Sequence, residues 1–143
     1  MGNVSHILKA KDSVIFSISP DISVYNALEI MVAKNVSALP VTDGDKLIGI
    51  FTERDYARKV ILQGKASKNT LISDIMTVDL LTVTPSTSIN DCMQMMTNKF
   101  IRHLPVVEEE KLVGIVSIGD LVKFIIEEQS FIIQNMENYI TSS

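Results

Sequence analysis

Apolar and polar positions follow one another along this chain in two different periods, and the whole succession occurs twice. Short apolar-rich runs at Val14–Ile18 and Leu80–Thr84 predict strands that run into a proline turn. After each turn Ser23 or Ser88 precedes apolar residues at helical spacing: Val24, Ala27, Leu28 and Met31 in the first stretch, Ile89, Cys92, Met93 and Met96 in the second. A serine in that place is a good N-cap. Two β-rich runs follow, Ala38–Thr42 and Leu47–Phe51, divided by Asp43-Gly44-Asp45-Lys46. Asp-Gly between such runs predicts an antiparallel hairpin. The second stretch carries Glu108-Glu109-Glu110-Lys111 at that point, read as a solvated hairpin tip. Pro40 and Pro105 lack the N–H a ladder needs, which predicts that their strands lie at an edge. A second helix is expected from about Glu53 to Leu62, and again from Gly119 onward.

The two stretches are copies of each other. Without a gap from Ser19 to Arg58, Pro20 falls on Pro85, Met31 on Met96, Leu39-Pro40-Val41 on Leu104-Pro105-Val106, Gly49-Ile50 on Gly114-Ile115, and Asp55 on Asp120. Self-similarity of this kind defines the architecture before any single residue does. The fold class is therefore α/β (α+β), built from two β-α-β-β-α repeats. The first crossover is expected to be right-handed. Neither half can bury its own sheet, so the repeats are expected to pack sheet to sheet about a pseudo-two-fold axis, with two equivalent clefts between them. The expected boundaries are 8–67 for the first repeat, 74–133 for the second and 127–143 for a C-terminal helical extension. In that extension Leu121, Ile125, Ile132, Met136 and Tyr139 continue an apolar stripe past the end of the repeat. Two readings stand: a tail folded back on the module, or a helix that pairs two copies.

Composition narrows the picture. An apolar fraction of 46% over 143 residues excludes disorder, and a single cysteine excludes a disulfide scaffold. Net charge −4 argues against a nucleic-acid partner, which would select a basic face. No apolar run is long enough for a membrane helix, and no signal pattern opens the chain, so a cytoplasmic location is expected. Cys92 and the methionines read as core.

The chemistry-bearing signal is Gly49-Ile50-Phe51-Thr52-Glu53-Arg54-Asp55, repeated as Gly114-Ile115-Val116-Ser117-Ile118-Gly119-Asp120. A hydroxyl followed three residues later by a carboxylate, at a strand-to-helix junction, forms a capping box without any ligand. The same geometry offers a phosphate the N–H groups and positive dipole end of a helix. The carboxylate could accept both hydroxyls of a ribose. Both readings remain open on the residues alone. Enzymatic readings fail: Gly114-x-x-Ser117-x-Gly119 is not a nucleophile elbow, no phosphate-loop lysine follows a glycine run, and two histidines with one cysteine cannot close a zinc site. The expectation is that the protein is not an enzyme.

These residues resemble the tandem cystathionine-β-synthase (CBS) domain pair, or Bateman module, over essentially the whole chain. The resemblance rests on Pro20, Val36-Ser37-Ala38-Leu39-Pro40-Val41 and Gly49 through Asp55, with Pro85, Ile101-Arg102-His103-Leu104-Pro105-Val106 and Gly114 through Asp120 in the second copy. Small stand-alone bacterial members look most similar, through Glu53 to Val60, Ile75-Met76-Thr77 and Glu137-Asn138-Tyr139-Ile140. The resemblance implies a regulatory module that binds adenosine-containing ligands (AMP, ADP, ATP, in some members NAD or S-adenosylmethionine) and signals to a partner protein. It also implies a homodimer. A structural dimerisation unit with vestigial clefts is the alternative.

Carried over by position, one cleft takes Ser117 for phosphate and Asp120 for ribose, with Phe16 and Val36, Ser37 and Ala38 facing base and phosphate. The other takes Thr52 and Asp55, with Leu81, Ile101, Arg102 and His103. Ile50 and Ile115 would line the adenine slots. The Asp55 cleft gathers Arg54, Arg102 and His103, and is expected to prefer more phosphates. His103 should strengthen phosphate binding there between about pH 8 and 6 by gaining a proton. Alanine at Asp55 or Asp120 should empty one cleft each and leave the fold nearly intact.

Overall fold

A computed structural model describes residues 2–11 and 15–142. In chain order its elements are α1 (Val4–Lys11), α2 (Val24–Lys34), β1 (Ala38–Asp43), β2 (Lys46–Thr52), α3 (Glu53–Asp55), which runs on as a π-helical segment (Tyr56–Ile61), α4 (Ile72–Ile75), α5 (Ile89–Lys99), β3 (His103–Glu108), β4 (Lys111–Ser117) and α6 (Ile118–Ser142). The serine caps form as expected. Ser23 accepts from the Asn26 N–H and Ser88 from the Asp91 N–H, at 3.1 and 3.0 Å. Both hairpins are antiparallel, and their outer strands β1 and β3 carry Pro40 and Pro105 at the edges of one four-stranded sheet of order β1-β2-β4-β3. The two repeats adjoin through β2 and β4, which pair at Lys46 and Lys111.

The strands expected at Val14–Ile18 and Leu80–Thr84 are shorter than the sequence suggests. Val14 lies outside the described residues, and each remaining run makes one parallel bridge, Ile18 with Val41 and Val83 with Val106. The prolines explain why. Ile18 donates to the Pro40 carbonyl and accepts from the Thr42 N–H, at 2.9 and 3.0 Å; Val83 does the same with Pro105 and Val107. One rung toward Phe16, the ladder would need an N–H from Pro40, and one rung the other way it would need one from Pro20. Pro105 and Pro85 block the second copy in the same manner. All four prolines of the chain thus trim these ladders to a single rung.

The short helices hold the two repeats together. Val4 and Ile7 of α1 are buried in a core made otherwise of the second repeat: Val83, Ile89, Cys92, Met96, Leu104, Val106, Val116 and Leu121. Ile72 and Ile75 of α4 are buried in the core of the first, with Val24, Met31, Leu39 and Phe51. The segment before each repeat therefore packs into the other one. A second register shows it in the chain: Val4-Ser5-His6-Ile7-Leu8 matches Ile72-Ser73-Asp74-Ile75-Met76, three residues out of step with the main repeat. Close approach is needed at two glycines. A Cβ on Gly49 would stand 2.6 Å from Met76 Sδ and 3.1 Å from the Thr77 carbonyl; one on Gly114 would stand 2.7 Å from Leu8 Cδ2.

The last helix departs from one expectation. It does not fold back on the module: α6 continues unbroken to Ser142, and Ile126, Phe131, Ile132, Ile133, Met136, Tyr139 and Ile140 are exposed. Among the described residues, it is its first turns, through Leu121 and Ile125, that reach the second core.

Candidate functional site

Each strand-to-helix junction closes as a capping box. Thr52 and Asp55 exchange bonds, the Asp55 N–H to Thr52 Oγ1 at 3.1 Å and the Thr52 N–H to Asp55 Oδ2 at 3.0 Å. Ser117 and Asp120 do the same at 3.1 and 2.9 Å. The capping reading is thus fulfilled in both copies, and what remains for a ligand depends on each carboxylate's other contacts.

There the copies part. Asp55 is buried, 7% exposed, and its Oδ1 accepts from the Thr77 hydroxyl at 2.9 Å and lies 3.1 Å from the Lys59 ammonium. Lys59 also donates to the Ile75 carbonyl and to Thr77 Oγ1. The π-helical turn carries this lysine: Leu62 N–H reaches the Ala57 carbonyl, five residues back. Asp120 is more open. Its Oδ2 accepts from the Lys11 ammonium at 2.9 Å, and that ammonium also donates to the Ile115 carbonyl at 3.0 Å.

Beside Asp55 a cavity of about 260 Å³ opens between the repeats. Ile50 lines it from the first repeat and Leu81, Ile101, His103 and Pro105 from the second, with Thr77, Asp79, Leu80 and Lys99. The structure therefore brings Ile50 together with Leu81, Ile101 and His103, residues that the family resemblance implied for a cleft. Arg54 and Arg102 are exposed at the margin, and Arg54 donates to the Phe100 carbonyl at 2.8 Å, which ties it to the end of α5. Around the other cleft Ile115, Ser117 and Asp120 are joined through Lys11, whereas Phe16 and Val36 are exposed and Ala38 is buried on β1. The Lys34 ammonium lies 4.8 Å above the Phe16 ring, so one face of that aromatic already has a cation partner.

Sequence reasoning missed Lys11, Lys59, Thr77, Asp79 and Lys99. Lys34 and Lys99 are equivalent in the main repeat, and Lys11 falls opposite Asp79 in the second register. Those two correspondences were the available signals.

His103 sits where the clefts meet. Its Nε2 lies 3.0 Å from the Ser37 hydroxyl. Burial pushes its pKa below the usual histidine value, Asp120 opposes that, and Arg102 and Lys11 add to it. Burial therefore works against the proton gain on which the expected rise of phosphate affinity depends and moves it toward lower pH. The linkage runs the other way. The unfolded chain binds the proton more readily, so stability is full above about pH 6.5 and declines as pH falls through the lower folded pKa. Denaturant unfolding from pH 8 to 5 should show this decline in the wild type and a flatter curve for His103→Gln. Superimposable slopes would contradict it.

Comparison with known proteins places these features. The CBS-domain family model matches residues 4–61 and again 72–127. A mitochondrial CBS-domain-containing protein of Arabidopsis thaliana is 41% identical over 96% of this chain and 71% of its own length. One from Bacillus subtilis is 34% identical over 82% of this chain and 84% of its own. A solved CBS-domain structure from Burkholderia ambifaria superposes with a TM-score of 0.84 at 48% identity, covering 89% of this chain and 96% of that one.

Proposed function

This chain belongs to the CBS-domain family as a tandem pair, and on that premise we propose that it is a sensor that binds adenosine nucleotides between its repeats and signals to a partner protein. CBS-domain pairs are generally regulatory, ligand-binding modules, and stand-alone members are typically not catalytic. The observation that carries the nucleotide reading is the cavity of about 260 Å³ with walls from both repeats. Its walls at Ile50, Leu81, Ile101 and Pro105 suit an adenine ring, and Thr77 links it to Asp55. The cavity is slightly smaller than the roughly 300 Å³ at which small-molecule pockets start, so it holds the base while the rest of the nucleotide extends out of it toward the exposed Arg102 and Arg54. Among the described residues no group of His, Cys, Asp and Glu is placed to hold a metal, and no helix is long and apolar enough to cross a membrane.

A structural dimerisation role is the second reading, favoured by the exposed apolar face of α6. In our proposal that face pairs two copies, and the two roles coexist in a homodimer. Titration calorimetry with AMP, ADP, ATP, NAD and S-adenosylmethionine separates them, with light scattering on the same samples. At least one of these ligands should bind with micromolar or tighter affinity to a particle of two chains. No heat from any of them at tens of micromolar protein would leave only the dimerisation role, and a monomer mass would remove that role too.

A further inference from the structure

We infer that Lys11 sets the ligand selectivity of the Asp120 cleft, holding it closed against neutral nucleosides and opening it to phosphorylated ones; this rests on the nucleotide reading above. The basis is a substitution of parts between two equivalent places. In the first cleft Thr77 covers both acceptors: its N–H donates to the Ile50 carbonyl and its hydroxyl to Asp55, each at 2.9 Å. In the second cleft the equivalent acceptors are the Ile115 carbonyl and Asp120, and the Lys11 ammonium alone covers both, at 3.0 and 2.9 Å. In the first cleft a backbone-anchored threonine shares Asp55 with the Lys59 ammonium, 3.1 Å from Oδ1, whereas in the second one lysine from the segment before the repeat takes both acceptors.

The consequences for a ligand differ accordingly. Thr77 cannot leave Ile50 without moving the chain that follows α4, and Lys59 binds both Thr77 Oγ1 and Asp55 Oδ1. Lys11 ends α1 on a flexible four-carbon stem, with its side chain 29% exposed and that of Asp120 22%. A ribose diol that engages both carboxylate oxygens of Asp120 displaces this ammonium from Oδ2. A nucleoside gives the displaced cation nothing in exchange for the carboxylate it loses. A nucleotide supplies a phosphate, and the resulting N–H to phosphate bonds are charge-assisted. Arg102 is exposed, and among the described residues no ion pair joins it to Asp120.

The test is titration calorimetry of the full chain with AMP and with adenosine, in wild type, Lys11→Met and Lys11→Arg. The site concerned is the one lost in Asp120→Asn. In Lys11→Met adenosine should bind more tightly and AMP more weakly, lowering the AMP-to-adenosine affinity ratio at least tenfold, while Lys11→Arg keeps the wild-type ratio. An unchanged ratio in Lys11→Met, with binding intact, overturns the selectivity role and leaves the nucleotide reading standing. Equal tightening of both ligands makes Lys11 a plug only and likewise overturns the proposal. Failure of wild type and variants to bind either ligand overturns the nucleotide reading, and this proposal with it.

Discussion

Ile7→Ala should destabilise the protein by about 2–5 kcal/mol, the range for removing a buried isoleucine from a core that relaxes only in part. Ile7 lies in the segment before the first repeat, where a linker would be expected to tolerate change. It is nevertheless 3% exposed and packed with Val83, Ile89, Leu104 and Leu121 of the second repeat. The loss should therefore appear as weakened second-repeat packing. Hydrogen exchange should accelerate at β3 and β4 more than at β1 and β2, with denaturant unfolding giving the magnitude. A loss below about 1 kcal/mol would mean that α1 is a surface ornament and that the crossed packing of α1 and α4 is not what unites the repeats.

Asp55→Ala should cost about 2–4 kcal/mol and Asp120→Ala only about 1 kcal/mol, although the two occupy the same place in the repeat. Removing a helix cap costs about 0.5–2 kcal/mol in either case. At Asp55, itself buried, the deletion also takes the acceptor from the half-buried Thr77 hydroxyl and the partner from Lys59, at about 1–3 kcal/mol for the unsatisfied groups. At Asp120 the released Lys11 is partly exposed and rehydrates, and such a pair contributes about 0–1 kcal/mol. These contacts predict a loss close to the cap alone at Asp120 and a larger one at Asp55. Thermal and denaturant unfolding of the two variants side by side decides it. Equal losses would show that the Thr77 and Lys59 contacts to Asp55 contribute nothing beyond the cap.

The same comparison shows what a linear reading reaches. Ser23 and Ser88 as caps, the two hairpins, the edge position of Pro40 and Pro105, and the burial of Cys92 all follow from residue type and spacing, because a cap, a turn or an amphipathic face is completed within a few residues. The repeat carries the fold class for the same reason, since two matching patterns must build two matching units. Even the short outer ladders were implicit in the four prolines, once the register of Ile18 on Val41 and Val83 on Val106 is known.

The candidate site divides along that line. The sequence by itself determined that Thr52 with Asp55, and Ser117 with Asp120, stand at helix starts, and the family resemblance implied that Leu81, Ile101 and His103 share a cleft. Only the tertiary structure decided which carboxylate is spoken for and by what. Lys11 reaches Asp120 across 109 positions and Thr77 reaches Asp55 across 22, and no periodicity encodes such a meeting. It depends on α1 and α4 crossing to opposite repeats, which their own few apolar residues permit but cannot specify until both cores exist to receive them. The burial that lowers the His103 pKa has the same origin, for it is produced by the neighbours that folding brings, and a repeat read along the chain contains none of them.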